Sequence, residues 1–159
     1  MHQLMKWLSP AIFSLAYWLF RSSIFKRSPK KHSMIMKVFR FTADNECRKA
    51  LSVYGHLLHF RGEGVKNRIQ GAIYLQRAAD KGEPKAQYQM GKIFEEGFED
   101  YFKPSNDKAF HYYLASAEQG HVLAISKLID TYQNGRLGKE ADEKLLSQWQ
   151  SRQPSLPTR

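Results

Sequence analysis

The sequence predicts an all-α fold built as a tandem array of helix-pair repeats from about residue 50 to residue 149. Three observations carry that prediction. Alanine recurs at Ala50, Ala86 and Ala124, spaced 36 and 38 residues apart, and a fixed period of this size marks stacked supersecondary units. Glycines recur in step: Gly55 and Gly91 five residues after the first two alanines, then Gly62, Gly97 and Gly135, with Gly82 and Gly120 closing the units. Aromatic residues fall at helical spacing between them, namely Tyr74, Tyr88, Phe94, Phe110, Tyr113 and Tyr132, as expected of side chains that fill the space between helices.

The chain opens on a basic, apolar leader, assigned to residues 1–33 with its linker. Residues 1–43 hold eight basic residues and no Asp or Glu. Residues 7–20 carry no charge at all, a run of about 21 Å as helix against a bilayer core of about 30 Å. Extension to Phe25, with Arg21 reaching out of the apolar layer, gives roughly 28 Å. Four readings follow. A short signal anchor places Trp7, Tyr17 and Trp18 at the interface and keeps the basic C-terminal flank cytoplasmic. A surface helix sets Leu4, Leu8, Ile12, Leu15 and Leu19 opposite a polar arc of His2, Lys6, Ser9, Pro10, Ser14, Tyr17 and Arg21. A cleaved targeting segment would export the domain or send it to an organelle. A packed helix would simply cover the repeats. The membrane readings are preferred, through residues 1–25, with Trp7, Phe13, Trp18, Phe20 and Arg21 as the contact residues. Ser9-Pro10 is expected to open the helix.

Residues 22–33 read as a polar, basic linker. Residues 34–41 lead into the array, with Thr42 or Asp44 expected to cap the helix that follows. The repeat domain is placed at 34–150, with repeats at about 50–85 and 86–123 and a partial third at 124–150, whose second helix is degenerate and reads as a terminal cap. Within each unit Gly55, Gly91, Ala79 and Ala117 are small enough for helices to approach closely. Gly82 and Gly120 sit where a helix end favours a left-handed residue. Gly62, Gly64 and Gly97 suit the turn inside a pair. Residues 151–159 form a polar tail expected to fray.

Gly62-Glu63-Gly64-Val65, the run from Tyr74 through Ala78-Ala79 and Gly82 to Ala86, Ala86 to Gly91, and Ala117-Glu118-Gln119-Gly120 together resemble Sel-1-like repeats, a subclass of tetratricopeptide-type α-solenoids. The resemblance covers about two thirds of the chain. It implies a short right-handed solenoid and an adaptor that binds a peptide or protein partner on its surface, most naturally the concave one. Unit one has an extra residue between Gly55 and Gly62. Unit two replaces the Gly-x-Gly-Val turn with a longer aromatic, acidic loop. Unit three has Ile129 where a glycine is expected.

Charge narrows the function. The net charge is +10; the leader's eight basic residues leave 17 against 15 acidic ones, a net +2 for the rest. A nearly neutral repeat domain argues against nucleic-acid binding. Cys47 is the single cysteine, so an intramolecular disulfide is excluded and a small buried side chain is expected. His56 and His59 share a helical face but lack a further metal ligand in sequence. Glu95, Glu96, Glu99 and Asp100 read as a solvated acidic run suited to a basic partner or to the chain's own basic linker. Phe98, Glu99, Asp100, Tyr101 and Phe102 are the partner-binding candidates. No phosphate-cradling glycine loop, nucleophile elbow or zinc-protease motif is present, so neither an enzyme nor a cofactor is expected. The expected role is a non-catalytic scaffold held at a membrane, with its repeats on the cytoplasmic side and an unidentified protein partner. Self-assembly would enlarge its small binding surface. The alternatives are a hydrolase of a cell-wall or small-molecule substrate, requiring His56, His59 and an acid to converge, and a membrane-surface or nucleic-acid binder acting through the basic leader.

Overall fold

The computed structural model describes residues 2–22 and 29–154. Among the described residues there are eight α-helices and no β-strand: α1 (His2–Arg21), α2 (Pro29–Asp44), α3 (Arg48–Arg61), α4 (Gly64–Asp80), α5 (Pro84–Glu96), α6 (Asn106–Glu118), α7 (Val122–Asn134) and α8 (Glu143–Arg152). Within each unit successive helices pack on one another, and the fold is an α-solenoid of helix-pair repeats. The chain divides into two compact units, Met1–Lys81 and Gly82–Arg159.

The first unit is organised around Phe39, which is fully buried. Phe13 and Phe20 of α1 meet its ring at 5.4 and 5.5 Å, and Tyr17 lies at 6.4 Å. Ser9 and Ala16 are buried on the same face. The leader is therefore packed into the unit that holds the first repeat. Its helix runs from His2 straight through Pro10 instead of starting there. The missing proline N–H removes one interior hydrogen bond, and Ser9 and Ser14 hydroxyls bond back to the Met5 and Pro10 carbonyls nearby. Of the expected linker, residues 23–28 lie outside the described residues and 29–33 form the first turns of α2.

Thr42 and Asp44 do not cap α3. Both belong to the end of α2, where the buried Thr42 hydroxyl bonds back to the Val38 carbonyl at 2.9 Å. The N-cap position falls on Cys47, without a side-chain bond, and its thiol is buried. The turn between them places Glu46 at a φ of 66°. That conformation costs energy for a residue with a Cβ. The Glu46 carboxylate ties the turn to the end of α4 through Arg77 and Lys81, the latter at 2.7 Å. These two cations hold the Glu46 pKa below the ordinary carboxylate range, the Lys81 hydrogen bond most of all.

α3 and α4 cross at backbone contact. A Cβ on Gly71 would lie 2.3 Å from the His59 nitrogen, and one on Gly55 would lie 2.8 Å from the Leu75 nitrogen. Only glycine fits at such a crossing, so the alignment that singled out Gly55 has a direct steric cause. Tyr74 packs edge-on to Tyr54 at 5.1 Å and donates to Asp44 at 2.6 Å. Burial, with the Asp44 carboxylate beside it, pushes the Tyr74 hydroxyl up to about 12.

In the second unit α5 begins as a helix should. Glu83 caps it by accepting from the Lys85 amide at 3.0 Å, and Pro84 occupies the first turn. Proline is well placed there because that N–H would lack an intrahelical partner anyway. Gly91 makes room for the Tyr113 ring, 2.6 Å from where its Cβ would stand. The buried Ser116 hydroxyl reaches the Pro84 carbonyl at 2.7 Å, joining α6 to the start of α5. Phe94 stacks on Tyr112 at 5.8 Å with the rings nearly parallel. Gly82 and Gly120 both have φ of 82°, the left-handed ends that their position in the repeat predicts.

The third pair is complete as a helix hairpin. Gly135 ends α7 in the left-handed region, Leu137 folds inward, and Asp142 caps α8 through the Leu145 amide at 2.9 Å. Trp149 is buried on α8. Of the expected polar tail, Ser151 and Arg152 close α8, and residues 155–159 lie outside the described residues.

Candidate interaction surfaces

The loop between α5 and α6 is built as a small rigid knob. Its turn leaves α5 at Gly97, whose amide bonds to the Ile93 carbonyl at 2.8 Å. Phe98 and Phe102 then exchange a pair of backbone hydrogen bonds, 2.8 and 3.0 Å. The Ser105 amide returns to the Phe94 carbonyl at 2.7 Å, so both ends of the loop are tied to α5. Gly97 lies directly under Pro104, with no room for a Cβ between them.

That pairing sorts the five partner-binding candidates. Phe102 is 4% exposed and packs edge-on against Phe94 at 5.8 Å, so it is core and not a contact residue. Phe98 is half-buried. Tyr101 is 59% exposed, and Glu99 and Asp100 beside it are exposed. The outward surface of the loop is therefore one aromatic ring next to two carboxylates.

The acidic run splits in the same way. Glu96 is exposed, but Glu95 turns inward and accepts from the Tyr113 hydroxyl and from Lys127 Nζ, each at 2.7 Å. Burial raises the Tyr113 pKa and the Glu95 carboxylate raises it further, so the phenol stays protonated. This tie joins α5, α6 and α7. Sequence reasoning missed it, because Tyr113 reads as one more core aromatic and Glu95 as part of a charged run.

His56 and His59 do not converge with an acid. His59 is buried and donates from Nδ1 to the Arg68 carbonyl at 3.0 Å, joining α3 to α4. His56 is exposed on α3, with its ring 4.5 Å from that of Phe60. Desolvation lowers the pKa of both. Among the described residues no group of three or more histidine, cysteine or acidic side chains could hold a metal ion.

The leader candidates also separate. Phe13 is 4% exposed, and Phe20 is half-buried between Phe39 and His32, so these two face the protein. Trp7 and Trp18 are 78% and 66% exposed, and Arg21 is exposed. Leu4 and Leu15 stand open beside the tryptophans. No helix among the described residues is long and apolar enough to cross a membrane.

Comparison with known proteins agrees with this architecture. The Sel1 repeat family model matches residues 48–83 and 84–121. Those bounds coincide with the helix pairs α3–α4 and α5–α6, each opening two residues before the alanine that first marked it. Over 74 residues, 45% of this chain, the sequence is 32% identical to the chitin synthase regulator SKT5 of Saccharomyces cerevisiae; that stretch spans only 11% of the yeast protein. Among solved structures, a Sel1 repeat protein from Oxalobacter formigenes superposes with a TM-score of 0.75 at 22% identity, covering 94% of this chain and 62% of that one. The protective antigen c5321 of uropathogenic Escherichia coli, described as displaying an SLR fold, superposes with a TM-score of 0.63 at 22% identity, over 75% of this chain and 25% of that one.

Proposed function

We propose, from the premise that this chain is a Sel1-like repeat protein, that it is a non-catalytic adaptor which binds a protein partner and is held at a membrane by its N-terminal segment. The observation that carries the reading is the α5–α6 loop. A helix-pair array needs only a short turn there, as between α3 and α4, where Gly62 and Glu63 suffice. This chain spends residues 97–105 instead and fixes them with four backbone hydrogen bonds. The result is Tyr101 held rigidly outward beside Glu99 and Asp100. A pre-ordered aromatic anchor costs little entropy to bind, and two adjacent carboxylates favour a basic peptide segment. The non-catalytic part of the reading draws on four of the shifted titratable groups: Glu46, His59, Tyr74 and Tyr113 are each engaged in ties between helices.

The test is affinity capture with the full chain and with the triple variant Glu99→Lys, Asp100→Lys, Tyr101→Ser. These side chains point away from the core, so the variant should melt as the parent does. A partner seated on the loop should bind about 30-fold more weakly to the variant, the loss typical of one interface hot spot of roughly 2 kcal/mol. An identical set of partners at unchanged affinity refutes the assignment of the loop.

A further inference from the structure

We infer that α1 docks the protein flat on an anionic lipid surface, lying in the plane of the headgroups and not spanning the bilayer. The inference rests on the membrane attachment proposed above and specifies its chemistry. Leu4, Trp7, Ala11, Leu15 and Trp18 are all exposed and follow one another at spacings of three, four, four and three residues. On a helix these fall within one arc of about 80°, and none carries a charge. The stripe runs about 21 Å along the axis, parallel to whatever covers it.

The opposite face of α1 is already committed. Ser9, Phe13 and Ala16 are buried, and Phe13, Tyr17 and Phe20 surround Phe39. A spanning helix would have to strip that face from the protein and surround it with acyl chains. An in-plane helix keeps both sets of contacts. Tryptophan suits this position, because its ring is apolar while its N–H seeks a polar partner at headgroup level.

Charge selects the occupant. Arg21 is exposed at the edge of the stripe, Lys30 and Lys37 are exposed on α2, and the first acidic residue of the whole chain is Asp44. Anionic headgroups complement such a surface. A second copy of the chain, meeting it stripe to stripe, would bring like charges together.

The experiment uses the purified full chain and protein-free vesicles, either phosphatidylcholine alone or phosphatidylcholine with about one third phosphatidylserine. Cosedimentation should be at least tenfold stronger with the anionic vesicles and should weaken as salt shortens the Debye length. Tryptophan emission should shift to the blue on binding, since Trp149 is buried throughout and Trp7 and Trp18 are the rings that change surroundings. The double variant Trp7→Ser, Trp18→Ser should lose at least tenfold in binding with an unchanged circular dichroism spectrum. In cell membranes the parent should be released by alkaline carbonate. Four results overturn the inference: no vesicle binding, equal binding to neutral vesicles, carbonate resistance, or a dimer broken by the tryptophan variant in place of lipid binding. Recovery with cell membranes but not with protein-free vesicles also overturns it, yet leaves membrane attachment standing through a protein partner.

Discussion

Gly71 shows how a single residue carries the fold. The distance of 2.3 Å from its virtual Cβ to the His59 backbone leaves α3 and α4 no freedom to separate without losing the Tyr54–Tyr74 contact and the His59–Arg68 bond. His59 in turn titrates in a revealing direction. Its pKa, with those of His56 and His121, is lowered chiefly by desolvation. A histidine depressed in the folded state is neutral there, while the unfolded chain takes up protons first as pH falls below about 6.5. Stability from these residues is therefore complete above that pH and is lost as pH falls towards the folded values. Glu46 acts only lower, because its depressed carboxyl begins to cost stability once pH falls through the unfolded carboxylate range. The urea midpoint should be lower at pH 5 than at pH 7.5, and His59→Asn with His121→Asn should flatten that slope. An equally steep slope in the double variant would remove His59 and His121 as the cause. Much at this scale was legible: Gly82 and Gly120 as left-handed helix ends, Gly55 and Gly91 as close approaches, Cys47 as buried. Glu46 was not, since nothing local marks a glutamate for positive φ. Its conformation is held by Arg77 and Lys81, 31 and 35 positions away, and it shifts the start of α3 beyond Thr42 and Asp44.

At the scale of the element, the α5–α6 loop and α1 pose one problem in two forms. Each is rich in apolar residues on every side, so composition identifies the segment but not its inward face. Tyr101 and Phe102 are neighbours of similar size, and the backbone pairing of Phe98 with Phe102 decides which turns in. In α1, Phe13 and Phe20 are as apolar as Leu15 and Trp18, and the position of Phe39 decides. Helical periodicity cannot separate two apolar faces, which is why Phe13 and Phe102, expected to meet a membrane and a partner, are buried in the core instead. The distinction has a measurable consequence. Phe102→Ala should destabilise the second unit by about 3 kcal/mol, the usual cost of emptying an aromatic site. Tyr101→Ser should leave the unfolding midpoint within experimental error. Equal effects from the two would mean that the loop does not hold the conformation described.

For the whole molecule, the repeat period marked the helix pairs α3–α4 and α5–α6, because the period is imposed by packing that every unit must satisfy. It did not reveal that the leader joins the first unit, since α1 and α2 lack the repeat's signature and α1 packs around Phe39 of α2. Repeat proteins distribute stability among units and nearest-neighbour interfaces. Gly71→Ala should cost about 3 kcal/mol, the upper end for overpacking, and lower the melting temperature by roughly 8 °C. The loss should be uneven. Amide hydrogen exchange should quicken in α3 and α4 well before α7 and α8, and uniform quickening along the chain would show a single cooperative block.

Inside a unit, the packing of each helix on its immediate successor has a consequence for how the protein is made. Within each unit the packing joins segments that leave the ribosome one after another, so no partner surface has to wait for a distant stretch of chain. Such local topologies fold quickly, in microseconds to milliseconds, whereas synthesis proceeds at about 5–20 residues per second. Every internal contact of the first unit is available once Lys81 has cleared the exit tunnel. By then Phe39 has met Phe13, Gly71 has met His59, and the tryptophans of α1 already face outward while the second unit is still being translated.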